Sequence, residues 1–326
     1  MKFYAFIFLS FTLFALSSCE KKDKPISLPP KGDGSVVQLE MGENYEFQYF
    51  YSLKEQKIVH ISRYDQWDIG FETGENQHAV ILNGGKGMAA FATGQRDFSK
   101  VGISDTINAL KRWKIDQPCG QLDSLAIGEW KNKDEVYIIR LDKEGKKLRK
   151  LKITYEDAFQ YKIDIGDINT SIPASITVLK NKNQNFTYFS FSLLNTVDGV
   201  EPDKNTWDIQ ATLYSYTFYD QNPPLPYIVN GFLLNPNGTS AYKDSLTGYN
   251  SITKEIAQSF PLSTRRDIIG FDWKSYNIDN NIYTVVPSYS YIIKSRSNAL
   301  FKLRFIDFYS PMGVKGSPKF EFKPLD

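Results

Sequence analysis

Trp67-Asp68-Ile69-Gly70-Phe71-Glu72 returns 140 positions later as Trp207-Asp208-Ile209-Gln210-Ala211-Thr212, and the segments around the two copies keep the same order. An aromatic run precedes each, Tyr45 to Ser52 in one case and Phe186 to Ser192 in the other. Downstream, Asn83-Gly84-Gly85 answers Asn237-Gly238, Ile127-Gly128-Glu129-Trp130 answers Ile269-Gly270-Phe271-Asp272-Trp273, and Tyr137-Ile138-Ile139-Arg140 answers Tyr291-Ile292-Ile293-Lys294. Each copy closes on a basic strand, Leu148 to Ile153 and Leu300 to Phe305. A repeat this long predicts two modules rather than a solenoid, whose periods run roughly 20 to 50 residues. The boundaries expected are 36–168 and 169–326.

The residues inside the copies favour strands. Phe, Tyr and Trp make up 15% of the chain and fall in short runs bounded by Asn, Gly, Asp and Pro, which is β-sheet usage. Trp67/Ile69/Phe71 against Asp68/Gly70/Glu72, Phe189/Phe191 against Tyr188/Ser190, and Leu303/Phe305 against Lys302/Arg304 alternate with period two. Helical periodicity is confined to Asp105 to Trp113, with Ser104 as a cap, and Ile252 to Phe260. The fold expected is all-β with a minor helix, in two tandem antiparallel modules.

Residues 1–18 carry one charge, Lys2, followed by an apolar run from Phe3 to Leu16 and then Ser17-Ser18-Cys19. This reads as a lipoprotein signal peptide that leaves Cys19 as the acylated first residue, since the apolar run is short of the about 20 residues a span needs. Two acyl chains anchor stably where one is marginal. Residues 19–35, rich in Lys, Pro and Gly, read as a tether reaching about 20 Å. Glu20 after the lipidated position favours the outer membrane, periplasmic face or cell surface.

Removal of the leader takes one Lys and leaves 38 basic groups against 37 acidic. A surface this near neutrality argues against nucleic acid as a partner. With Cys19 acylated only Cys119 remains, so stability rests on packing rather than an internal disulfide.

Several of these segments resemble the HmuY family of Bacteroidetes lipoproteins. The likeness rests on Tyr188 to Ser192, Trp207 to Ile209, Asn235 to Gly238 and the closing run from Phe301 through Asp307-Phe308-Tyr309 to Gly316, and more loosely on Trp67 to Gly87 and Tyr137 to Tyr155. It implies an all-β fold and, as in the best-known members, capture of haem for a TonB-dependent receptor. In haem-binding members one iron ligand lies on the strand after the Trp-Asp motif; here that place holds Glu72 in one copy and Thr212 in the other. Neither is a usual haem ligand.

His60 and His78 are the only histidines, too few for a three-His metal centre, and no Ser-His-Asp set or carboxylate pair stands out, so an enzyme is not expected. His60, in a strand, reads as a surface histidine. His78 precedes the turn Asn83 to Gly87 and Met88 follows it, so the two could face each other across a hairpin as a haem site. Asn83-Gly84-Gly85-Lys86-Gly87 lacks phosphate-loop spacing and reads as turn chemistry. Tyr214, Tyr216, Phe218 and Tyr219 lead into Asn222-Pro223-Pro224-Leu225-Pro226-Tyr227, and Tyr216 is the third candidate for contact with haem. Lys150, Lys152, Lys302 and Arg304 read as the solvated face of the closing strands. The function expected is a non-enzymatic binding protein for haem, the alternative being an HmuY-like module that binds a glycan, peptide or partner protein at the cell surface.

Overall fold

The structure is a computed structural model that describes residues 33–107 and 112–325. The signal peptide, Cys19 and nearly all of the expected tether lie outside the described residues, as do positions 108–111 of the helix expected from Asp105. In chain order the strands are β1 (Ser35–Gln38), β2 (Phe47–Ser52), β3 (Lys57–Arg63), β4 (Ile69–Glu72), β5 (Val80–Leu82), β6 (Ala89–Ala92), β7 (Val136–Arg140), β8 (Leu148–Glu156), β9 (Gln160–Asp167) and β10 (Ala174–Leu179). They continue with β11 (Phe186–Ser190), β12 (Asn195–Thr196), β13 (Ile209–Phe218), β14 (Leu225–Leu234), β15 (Ser240–Asp244), β16 (Lys274–Asn277), β17 (Ile282–Val285), β18 (Ser290–Lys294), β19 (Leu300–Tyr309) and β20 (Lys315–Pro324). The expected helix at Ile252 to Phe260 is α1 (Lys254–Ser259), opened by the Thr253 hydroxyl accepting from Ile256 N. Ile103–Thr106, at the start of the other expected helix, is a 3₁₀ turn.

All strand pairs are antiparallel. The sheets run β6-β7-β8-β9-β10 and β15-β18-β19-β20-β1, then β5-β4-β11-β12 and β3-β2-β13-β14, with β16-β17 as a small ribbon. The first two match strand for strand, and the next two do so when the last is read from β14 to β3, the order that the sequence repeat predicts. The junction at 168/169 falls between β9 and β10, but the sheets do not respect it. The opening strands of the first copy, β1 to β3, pair with the second copy, and the opening strands of the second, β10 to β12, pair with the first. One half of the protein is therefore continuous, β4 to β12, while the other is assembled from both ends of the chain.

Packing explains the exchange. Tyr49, Tyr51 and Leu53 of β2 and its end are buried with Ile209, Phe232, Trp273, Phe305 and Phe320. Phe189 and Phe191 are buried with Ile69, Phe71, Tyr137 and Ile163. Burial of each large apolar side chain contributes about 1.5–3 kcal/mol, so neither core is complete without its borrowed strand.

The closing strands correct the expectation of a solvated basic face. Lys150, Lys302 and Arg304 are buried. Lys150 Nζ donates to the carbonyls of Phe98 (2.9 Å), Val101 (2.8 Å) and Thr170 (2.5 Å), and Lys302 Nζ to those of Tyr249 (3.0 Å) and Ile252 (3.1 Å). Arg304 donates from Nε and Nη2 to Glu321 Oε2 at 2.9 and 2.7 Å. Each lysine satisfies the carbonyls of a loop laid across its sheet, which would otherwise be buried unpaired. Lys152 alone meets the expectation in part, reaching Asp134 (2.9 Å) and the Arg96 carbonyl (2.7 Å) near the surface.

Candidate ligand-binding cleft

The run Asn83 to Gly87 is not a hairpin turn. It is a short 3₁₀ turn, Gly84–Lys86, that carries the chain from one sheet to another: β5 pairs with β4, and β6 pairs with β7. Asn83 Oδ1 accepts from Gly85 N (3.1 Å) while its Nδ2 donates to the carbonyls of Tyr64 (2.8 Å) and Trp67 (2.9 Å). Asn235 repeats this, accepting from Asn237 N (2.9 Å) and donating to the carbonyls of Lys204 (2.8 Å) and Trp207 (2.7 Å). Asn83 thus corresponds to Asn235, not to Asn237 as the glycine pattern suggested. The glycines serve contact between the halves. A Cβ on Gly84 would lie 2.6 Å from Ser215 N of β13, and Ser215 Oγ donates to the Gly84 carbonyl at 3.0 Å.

Beside this joint lies a cleft of about 1120 Å³ between the halves. One wall comes from the first half: Gly85, Gly87, Ile115, Arg140 at the end of β7, and Lys143 in the following turn. The other is aromatic, with Phe218, Tyr227, Phe271, Tyr276 and Tyr283, and Tyr45 and Tyr64 from the loops flanking β2 and β3. Tyr276 and Tyr283 pack at 4.7 Å between ring centroids, and Tyr283 N donates to Tyr309 Oη at 2.7 Å. Four cations line the cleft, Arg140, Lys143, Lys274 and Lys315, and no carboxylate does.

Lys274 sits deepest. Its Nζ donates to the Asn230 carbonyl at 2.7 Å and stands over the rings of Trp273 at 4.1 Å and Phe308 at 4.7 Å. Ring faces stabilise a cation where water is excluded, yet burial outweighs them and pushes Lys274 down to about 7. An anion arriving in the cleft would favour the protonated form of this amine. Burial and the adjacent Tyr283 push the Tyr45 phenol up, so its hydroxyl stays neutral.

The three residues singled out from the sequence lie elsewhere. Met88 is wholly buried in the core of the continuous half, among side chains including Trp130 and Ile139. His78 Nε2 is 3.0 Å from Glu129 Oε2, and its ring meets Trp130 edge-on at 5.9 Å. The hairpin that was to place His78 and Met88 face to face is not formed. Tyr216 packs edge-on against Phe218 (5.1 Å) and Phe271 (4.9 Å) in the other half. None of the three lines the cleft. At the positions inherited from the family pattern, Glu72 Oε2 accepts from Ala79 N (2.9 Å) in a half-buried contact and Thr212 Oγ1 donates to Gln48 Oε1 (3.1 Å) in a buried one. His60 accepts a surface role, with Nε2 2.7 Å from the Gly199 carbonyl.

Sequence reading passed over Arg140, Lys143, Lys274, Tyr276 and Tyr283, because they come from β7 and the turn after it and from β16 and β17, two regions far apart in the chain. Lys274 alone carried a local signal, a cation directly after the repeated Trp273. For haem, the cleft offers aromatic walls for the macrocycle and cations for its carboxylates. Imidazole and thioether ligands for the iron are not among its lining residues, and the phenols are the groups that could meet the metal.

The family model described as HmuY protein matches residues 44–135, from the loop before β2 to the approach to β7. The matched residues include Trp67 to Gly87, one of the two looser likenesses, and stop short of Tyr137 to Tyr155. Among solved structures, it is similar to apo PinO from Porphyromonas gingivitis, at 10% identity over 91% of this chain and 99% of that one, with a TM-score of 0.34. It is also similar to the apo HmuY analog of Tannerella forsythia, at 10% identity over 90% of this chain and 96% of that one, with a TM-score of 0.27. No curated protein matches.

Proposed function

We propose that this chain is a tethered, non-enzymatic binding protein that captures a flat, anionic ligand of the haem-type tetrapyrrole class in the cleft between its halves. The observation that carries this reading is the lining of the cleft: aromatic rings on one side, four cations, and no carboxylate. Aromatic faces favour a planar ring system, and guanidinium and ammonium groups favour its carboxylates. A volume of about 1120 Å³ is at the upper end of ordinary ligand sites, roughly 300–1,000 Å³. The HmuY-like segment supports the tetrapyrrole over other planar anions.

Anchoring follows from the sequence. Acylation at Cys19 after cleavage of residues 1–18 would hold the protein at the outer membrane, with residues 19–35 as its leash. Among the described residues no helix is long and apolar enough to cross a membrane. A TonB-dependent receptor is the partner that the likeness to HmuY suggests for the captured ligand.

Titration of the lipid-free protein with haemin and, separately, with metal-free protoporphyrin tests the reading. Both should give saturable changes in the Soret band, because the cleft recognises ring and carboxylates. No saturable change with either would retire it; saturation by haemin alone would make iron ligation, rather than the cleft lining, the basis of capture.

A further inference from the structure

A second concavity lies behind the cleft, separated from it by Phe218 and Phe271, which line both. It is a groove of about 600 Å³ over β13 and the segment 263–272. That segment is held close by two isolated bridges, Ala241 to Ser263 and Phe232 to Gly270. The approach requires Gly231, where a Cβ would lie 2.4 Å from the Gly270 carbonyl.

The chemistry of the groove differs from that of the cleft. Four of its charges come as two pairs, and the fifth, the exposed carboxylate of Asp220, disfavours an anionic ligand. Arg265 grips Asp267 through Nε–Oδ1 (3.1 Å) and Nη2–Oδ2 (2.9 Å), and Lys243 Nζ meets Asp272 Oδ2 at 2.5 Å. Paired ions present fixed donors and acceptors with their charge cancelled, which suits a neutral ligand carrying both kinds of group. Tyr216 and the outlying Tyr219, 69% exposed, add aromatic faces. On the floor, Tyr214 is 6% exposed and its hydroxyl has no hydrogen-bond partner among the described residues. That hydroxyl is closed off against Gly231, so the ligand contacts of the groove fall to the tyrosine rings and the ion pairs.

We infer that this groove is a second binding site, for a neutral glycan, with a sugar ring stacked on Tyr216 or Tyr219 and its hydroxyls shared between the Arg265–Asp267 and Lys243–Asp272 pairs. Sugars combine apolar C–H faces with a rim of hydroxyls that donate and accept at once, and the groove offers both complements. The inference stands apart from ligand capture in the cleft and does not depend on it.

The test is to apply the lipid-free protein to an array of neutral and sialylated glycans and to measure the strongest neutral hit by calorimetry on wild type, Tyr219→Ala and Asp267→Asn. Tyr219 is exposed enough that its removal leaves the fold in place, and an unchanged melting curve and an unchanged haemin titration serve as controls. The expected result is retention of neutral glycans, with each substitution weakening binding about ten-fold or more, the equivalent of one good hydrogen-bonding or stacking contact. Retention of sialylated glycans alone, retention unaffected by both substitutions, or no retention would each overturn the inference. A haemin result of either sign leaves it untouched.

Discussion

Asp68 and Asp208 clamp each other's repeat. Asp68 Oδ2, in the first copy, accepts from the backbone N of Phe191 in the second at 2.7 Å, and Asp208 Oδ2, in the second, accepts from the backbone N of Leu53 in the first at 2.8 Å. Both amides stand just past the end of a borrowed strand, where the ladder hydrogen bonds stop and a buried N–H needs another acceptor. The recurring Trp-Asp-Ile motif therefore stands at both places where a strand from the other part of the sequence joins the sheet.

Removing either clamp should destabilise, Asp68 somewhat more because its other oxygen also holds Lys86 Nζ. Asp68→Ala and Asp208→Ala each leave a buried donor unpaired and should lower unfolding free energy by about 1–3 kcal/mol, whereas Asp208→Asn keeps an acceptor oxygen and should cost less. Urea denaturation of the three variants checks this. Alanine variants within about 0.5 kcal/mol of wild type, the range of ordinary surface changes, would show that the amides are satisfied in another way.

The buried lysines make a sharper case, since pattern alone placed them in water. Lys150→Met should destabilise by at least about 2 kcal/mol, because the carbonyls of Phe98, Val101 and Thr170 lose their shared donor. Lys146→Met, at an exposed pair with Glu144, should be close to neutral. Equal effects at the two positions in the same denaturation assay would contradict the buried role.

Between the halves, Glu201 predicts a pH dependence. Its carboxylate accepts from Asn185 Nδ2 (2.5 Å) and Tyr188 Oη (3.1 Å), and Arg266 acts on it from nearby, but burial dominates and pushes Glu201 up to about 7. A folded value above the unfolded one means stability present in full below about 4.5 and lost as pH rises through about 7. The expected outcome is wild-type stability declining by up to a few kcal/mol over that window, with a flatter profile for Glu201→Gln. Thermal melts of both from pH 4 to 8 decide it; parallel profiles would assign the dependence to other groups.

How far the sequence could be read follows from the same residues. Trp67-Asp68-Ile69 and its copy gave the repeat, the antiparallel β class and the strands at Phe189, Leu303 and Phe305, because strand periodicity is local. Strand exchange was not legible: which copy Tyr51 packs against depends on contacts more than 150 residues away, such as that of Leu53 with Asp208. Period two also misled at Lys150 and Lys302, since alternation identifies two faces without saying that loops cover the second. His78 and Met88 drew attention as iron-ligating residue types, while the cleft is built from tyrosines and cations scattered from Tyr45 to Lys315. Such a set has no sequence spacing to find.

The most direct test of capture in the cleft is haemin affinity, followed through the Soret band, for wild type, Arg140→Gln with Lys143→Gln, Lys274→Gln and His78→Ala, each confirmed folded by its melting curve. The account predicts that the Arg140/Lys143 and Lys274 variants bind at least about ten-fold more weakly, the loss of one charged contact, while His78→Ala binds as wild type does. Loss of binding in His78→Ala with the cleft variants unaffected would contradict it and put the ligand at His78 and Glu129 instead.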